Sequence, residues 1–114
     1  MPRTNRTSSF WKAVKRLRVV LAPKDGLPVR VRTTDRLPED TLGDTSKHEE
    51  YYLIRMSKEA VKQMPDMACL LLAHEWAHVL NWGCSEDHGD AWGVKQAHCW
   101  RLICGEYAQG GANE

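Results

Sequence analysis

Residues 67–82 form the segment that most limits how this chain can fold. Pro65 shortly before it and Gly83 directly after it are typical of the start and the end of a helix. The segment is apolar on nearly every side, so we expect it to be the central helix of the fold. Two histidines and a glutamate nevertheless lie within it: His74, Glu75 and His78. Because buried polar groups are costly unless they have partners, these side chains need either a bound metal ion or hydrogen-bond partners in the core.

The spacing of the two histidines suits a metal ion. Residues four apart on a helix differ by about 40° in direction and about 6 Å in height, so both imidazoles project from one face. Zinc accepts neutral imidazole nitrogen and tolerates an open coordination position. Glu75 lies beside such an ion without having to bind it, and it can take a proton from a water molecule that the zinc activates. The H-E-x-x-H pattern therefore predicts a zinc site formed by His74 and His78, with Glu75 as a catalytic base.

A catalytic zinc ion usually has a third protein ligand, and His88 is our candidate for it. It follows the predicted end of the metal-binding helix and a short loop, and it opens the next predicted helix. A pair of helices joined in this way can fold back and bring His88 to the metal. Three acidic residues are competing oxygen ligands: Glu86, Asp87 and Asp90. We expect His98 to be a core residue or to support the site from behind, and His48 to be exposed.

The rest of the chain predicts an α+β fold with one domain. We expect a first helix over residues 10–21, capped by Ser8 or Ser9 and buried through Phe10, Val14, Leu17 and Leu21. The remaining predicted elements are strands over 27–34 and 51–56, a loop over 35–47, a short helix over 57–64 and a last helix over 88–107. The domain is predicted to span residues 9–108, between a disordered basic tail at 1–8 and a disordered tail at 109–114.

The motif of residues 74–78 is followed by His88-Gly89-Asp90-Ala91-Trp92. The two elements together resemble the H-E-x-x-H and H-G-x-x-[FW] motifs of the SprT-like (Spartan-type) metallopeptidase domain, in a small stand-alone form similar to proteins that bacteriophages encode. The resemblance implies a zincin-like fold, with a first helix, a small β-sheet of two or three strands, the motif helix and a C-terminal helix. It also implies zinc ligands at His74, His78 and His88, a general base at Glu75, and Trp92 packed behind the site.

Charge is distributed unevenly along the chain. Ten of the 16 Lys and Arg residues lie in residues 1–36, against two of the 15 acidic residues. This basic third predicts either a contact with an anionic partner or a solvated basic helix. Spartan-type proteins act on proteins attached to DNA, and a DNA contact would use residues 12–18, Arg30 and Arg32. The chain has no long apolar run and no signal-peptide pattern, so we expect a cytoplasmic protein with no membrane contact and with free thiols.

Two functions compete for the metal site. The first is a zinc metalloendopeptidase that hydrolyses peptide bonds in a protein or peptide substrate, with an edge of strand 51–56 available to an extended substrate. Its oxyanion donor has four candidates: Tyr51, Tyr52, Arg55 and Lys95. The alternative is a non-catalytic binding or assembly module stabilised by zinc and associated with nucleic acid. Glu75 favours the enzyme, because a structural zinc site does not require a carboxylate at that position.

Overall fold

Seven elements follow one another in a computed structural model of the protein, which describes residues 6–83 and 89–112, and side chains within 9–83 and 89–103. They are α1 (Arg6–Val20), β1 (Val29–Thr34), β2 (Gly43–Lys47), β3 (Tyr52–Ser57), α2 (Lys58–Gln63), α3 (Pro65–Leu80) and α4 (Asp90–Ala112). The predicted α+β class, with a small sheet, is confirmed. Within the described ranges, no helix is both long enough and apolar enough to cross a membrane.

The three strands form a mixed sheet in the order β1-β3-β2, with β3 parallel to β1 and antiparallel to β2. Alternate residues of β3 are buried, Tyr52, Ile54 and Met56, as the period of two in this segment predicts. Both edges of β3 are paired, so the prediction that residues 51–56 offer an edge to a substrate is wrong. The two edges of the sheet belong to β1 and β2.

Strand β2 lies within the segment that was predicted to be a loop. Its sequence, Gly-Asp-Thr-Ser-Lys, contains no apolar side chain, so it carries no strand signal of its own. It is a strand because its backbone pairs with β3, with Gly43 opposite Met56 and Thr45 opposite Ile54. A Cβ atom on Gly43 would lie 3.2 Å from both the Arg55 carbonyl oxygen and the Met56 sulfur. The absence of a side chain at Gly43 therefore allows β2 to approach β3 closely.

Helix α3 is central, as predicted, and it packs against α1, α4 and the sheet. Pro65 is in its first turn, where the missing N–H costs nothing. The core contains large side chains from each layer, including Phe10, Leu17, Ile54, Leu72 and Trp76. The indole Nε1 of Trp76 donates a hydrogen bond to the Leu21 carbonyl oxygen at 2.9 Å, which joins the end of α1 to the middle of α3.

Several boundaries and exposures differ from the sequence-based expectations. Helix α1 begins at Arg6, so Ser8 and Ser9 lie within it and do not cap it. Helix α4 extends to Ala112, into the segment expected to be a tail. His98 lies on the solvent side of α4 and is exposed, so it is not a core residue, whereas its neighbour Cys99 is buried. His48 is exposed, as predicted.

Candidate metal centre

Helix α3 places His74 and His78 one turn apart on the same side. The centroids of their rings are 5.0 Å apart and the ring planes meet at 72°. Both side chains are half-buried. Two imidazoles bound to one tetrahedral zinc ion would have centroids about 5 Å apart, given zinc–nitrogen bonds of about 2 Å. The spacing of this pair therefore fits zinc without a change of backbone.

Trp92 brings the beginning of α4 to the histidine pair. Its ring centroid lies 4.9 Å from that of His74 and 5.6 Å from that of His78. The Gly93 N–H donates to the Gly89 carbonyl oxygen at 2.9 Å, so the helical turn that carries Trp92 already starts at Gly89. Trp92 thus packs against both imidazoles.

The predicted third ligand, His88, lies outside the described residues, and so do its competitors Glu86 and Asp87. Asp90, the remaining competitor, is an exposed residue at the start of α4. Over 9–83 and 89–103, where side chains are described, no three His, Cys, Asp or Glu residues form a group that could hold a metal ion. The described part of the chain therefore contributes two of the three predicted ligands.

Glu75 is almost completely buried, with 7% of its surface exposed. Its Oε1 atom accepts a hydrogen bond of 2.6 Å from the Thr45 hydroxyl on β2. The same hydroxyl is 3.3 Å from the main-chain oxygen of Glu75. Sequence reasoning did not select Thr45, because it lies in a polar segment without a motif. The sheet therefore contributes a contact to the predicted catalytic base.

An open cleft of about 350 Å³ runs between α3 and β2. It is lined by both the predicted base and one of the predicted ligands. The lining residues are Gly43, Asp44, Thr45, Glu75, His78 and Trp82. Clefts of this volume are large enough for a segment of a ligand. The predicted base and His78 can thus both be reached from one open cleft.

None of the four candidate oxyanion donors is among the described residues that line the cleft. Each contacts another side chain, and for Arg55 that side chain is Asp44, which lines the cleft. The Tyr52 hydroxyl donates to Asp25 at 2.7 Å, and Arg55 binds Asp44. Lys95 is 3.4 Å from the Asn81 side-chain oxygen, and the Tyr51 ring stacks on His48. None of these four side chains therefore lines the cleft, and the oxyanion donor stays a prediction.

The described geometry thus assembles His74, Glu75 and His78 and adds Thr45 and Trp92 to them. Comparison of the chain with known protein families, with curated proteins and with solved structures finds no match.

Proposed function

We propose that the protein is a zinc-dependent metallopeptidase that hydrolyses peptide bonds in protein or peptide substrates. The observation that carries this proposal is an open cleft lined by the buried Glu75 carboxylate and by His78, whose ring lies next to that of His74. Burial makes an ionised carboxylate costly, so a glutamate in this place is better explained by chemistry than by packing.

In this proposal His74, His78 and His88 hold the zinc ion. When bound, zinc would lower the pKa of a water molecule and polarise the carbonyl group of the substrate. Glu75 takes the proton from that water and later gives it to the leaving amine. Trp92 covers the imidazoles on the α4 side, which limits their motion and excludes solvent from that side.

The family, the fold type and the location belong to the same proposal. We assign the chain to the SprT-like group, with a zincin-like fold, on the H-E-x-x-H and H-G-x-x-W motifs. The closeness of Trp92 to both histidines supports this assignment, because it places the second motif beside the first. A cytoplasmic location agrees with Cys99, which is a buried free thiol.

Metal analysis and a cleavage assay test the proposal together. The full chain would be loaded with zinc, its metal content measured by mass spectrometry, and its activity followed with fluorescently labelled casein. We expect one zinc per chain, and we expect Glu75→Gln to keep the zinc while lowering the cleavage rate by about 100-fold or more. Glu50→Gln, at an exposed loop position, is the matched control and should behave as wild type.

The outcomes separate the two functions. Zinc binding without cleavage by the wild-type chain would favour the non-catalytic, zinc-stabilised module. Full activity in Glu75→Gln would show that the proposed base is wrong. Failure of the wild type to bind zinc would remove both functions.

A DNA contact is a second candidate, supported by one surface of the sheet. Arg30 and Arg32 are exposed on β1, and the guanidinium of Arg30 lies 4.2 Å from the Tyr51 ring centroid. The His48 ring also stacks on the Tyr51 ring, with 4.7 Å between the ring centroids and 23° between the ring planes. Cations next to stacked rings suit a single-stranded nucleic acid. Arg18, by contrast, donates to the Val29 carbonyl oxygen and has a structural role.

Salt dependence tests this contact. Binding of a labelled single-stranded oligonucleotide would be measured by fluorescence anisotropy over a range of salt concentrations. We expect the double variant Arg30→Ala with Arg32→Ala to bind more weakly and with a shallower salt slope, by about one unit per lost phosphate contact. Lys62→Ala, an exposed residue on α2, should leave the slope unchanged. An absence of binding at low salt would remove this candidate.

A further inference from the structure

We propose that Thr45 is the positioning residue for Glu75, whose carboxylate it fixes through one oxygen so that the other oxygen is available to the reacting water. This inference rests on the proposed function and assigns a role to a strand that the motif does not include. Thr45 acts through Glu75 and has no contact with the metal in this proposal.

The hydrogen bond has the geometry that such a role needs. The Thr45 hydroxyl lies 2.6 Å from Glu75 Oε1. Distances of about 2.5 to 2.7 Å are typical of a hydroxyl that donates to an ionised carboxylate. Glu75 is 7% exposed and Thr45 is half-buried, so little water competes for this bond. A carboxylate held at one oxygen loses rotational freedom and keeps the lone pairs of its second oxygen for proton transfer.

Strand β2 holds the hydroxyl in place from both ends. Thr45 is in register with Ile54, which is completely buried. Before the strand, the Ser57 N–H donates to the Leu42 carbonyl oxygen at 2.8 Å. At the other end of the strand, Lys47 Nζ forms an ion pair with Asp25 Oδ2 at 3.5 Å. Because Thr45 is β-branched, its side chain also has few rotamers. The donor therefore sits on a fixed strand rather than on a loop.

A purely structural role predicts different behaviour. The same hydroxyl is 3.3 Å from the main-chain oxygen of Glu75 and could simply attach β2 to α3. Loss of that attachment would lower the melting temperature without a selective effect on kcat. A positioning role instead lowers kcat while KM, zinc content and folding change little.

Kinetics of three threonine variants distinguish the two roles. With zinc-loaded full-length protein and labelled casein, we expect Thr45→Val to lower kcat by about 10- to 100-fold, with KM within about twofold of wild type. Thr45→Ser keeps the donor and should recover most of the activity. Thr33→Val replaces a half-buried threonine of β1 and should behave as wild type. A kcat of Thr45→Val equal to that of wild type would overturn the proposal.

Crystal structures of the same variants provide a readout without catalysis. We expect the Glu75 carboxylate to take a single orientation in wild type and in Thr45→Ser, and to leave that orientation in Thr45→Val. An unchanged carboxylate in Thr45→Val would contradict the positioning role, whatever the rates. If wild-type protein cleaves no peptide bond, the proposed function fails, and the crystal structures still decide whether Thr45 fixes Glu75.

Discussion

Tyr52 shows how a single polar atom is accommodated in this small core. The side chain is 3% exposed, and its hydroxyl donates to the Asp25 carboxylate at 2.7 Å. Burial first, and then the bond to Asp25, raise the pKa of Tyr52 to about 12. The pKa of Asp25 is lowered, chiefly by the Leu27 N–H and next by the Tyr52 hydroxyl. The pair thus stabilises a protonated phenol beside an ionised carboxylate.

This pair predicts a loss of stability at alkaline pH. The pKa of Tyr52 is higher in the folded protein than the ordinary value of 10.0, so its stabilising effect is complete below pH 10 and is lost as the pH rises towards about 12. Denaturant unfolding between pH 9.5 and 11.5 would measure this loss, which reaches about 2 to 3 kcal/mol. Tyr52→Phe should be less stable at neutral pH, and its free energy of unfolding should fall less steeply as the pH rises. Equal slopes for both proteins would contradict the assignment.

At the scale of elements, apolar spacing decided what the sequence could predict. Helix α1 was found from Phe10, Val14 and Leu17, and β1 from the alternation of its valines with arginines, because burial selects apolar residues at those periods. Strand β2 has no such residues, and only its pairing with β3 makes it a strand. The contact from Thr45 to Glu75 joins residues 30 apart in sequence, so it depends on that pairing and could not be predicted.

The close approach of β2 to β3 gives a prediction for Gly43. In Gly43→Ala the new methyl group would lie 3.2 Å from the Arg55 carbonyl oxygen, a main-chain atom that cannot turn aside, and 3.6 Å from Glu75 Cγ. We expect the strands to separate slightly and the free energy of unfolding to fall by about 1 to 3 kcal/mol in chemical denaturation. Casein cleavage should fall as well, because Thr45 moves with β2.

Gly93→Ala is the matched control for this change. A Cβ atom at Gly93 meets no atom of the described residues within 4 Å, and the residue is inside α4. Alanine is a better helix former than glycine, so this variant should be more stable by about 0.5 to 1 kcal/mol. Destabilisation by Gly93→Ala, or none by Gly43→Ala, would contradict the packing argument.

At the scale of the whole molecule, the core and the candidate metal centre are separate. The buried cluster joins α1, the sheet, α3 and α4 through apolar side chains, with Trp76 at its middle. His74 and His78 are half-buried and do not belong to that cluster, and His78 lines the cleft. Sequence reasoning predicted this pair and Glu75 from helical geometry alone. It named His88 by position, and this third ligand stays a prediction.

The separation of core and metal centre predicts that the chain folds without zinc. After treatment with EDTA, we expect the helical circular dichroism spectrum and a cooperative thermal transition to remain, because the buried cluster does not depend on the histidines. Zinc at about 100 times its Kd should then raise the free energy of unfolding by about 2.7 kcal/mol, because it binds the folded state. His78→Ala should lose this gain while keeping the transition of the metal-free protein. A metal-free chain without a cooperative transition would instead mean that zinc completes the fold, as expected of a metal-stabilised module.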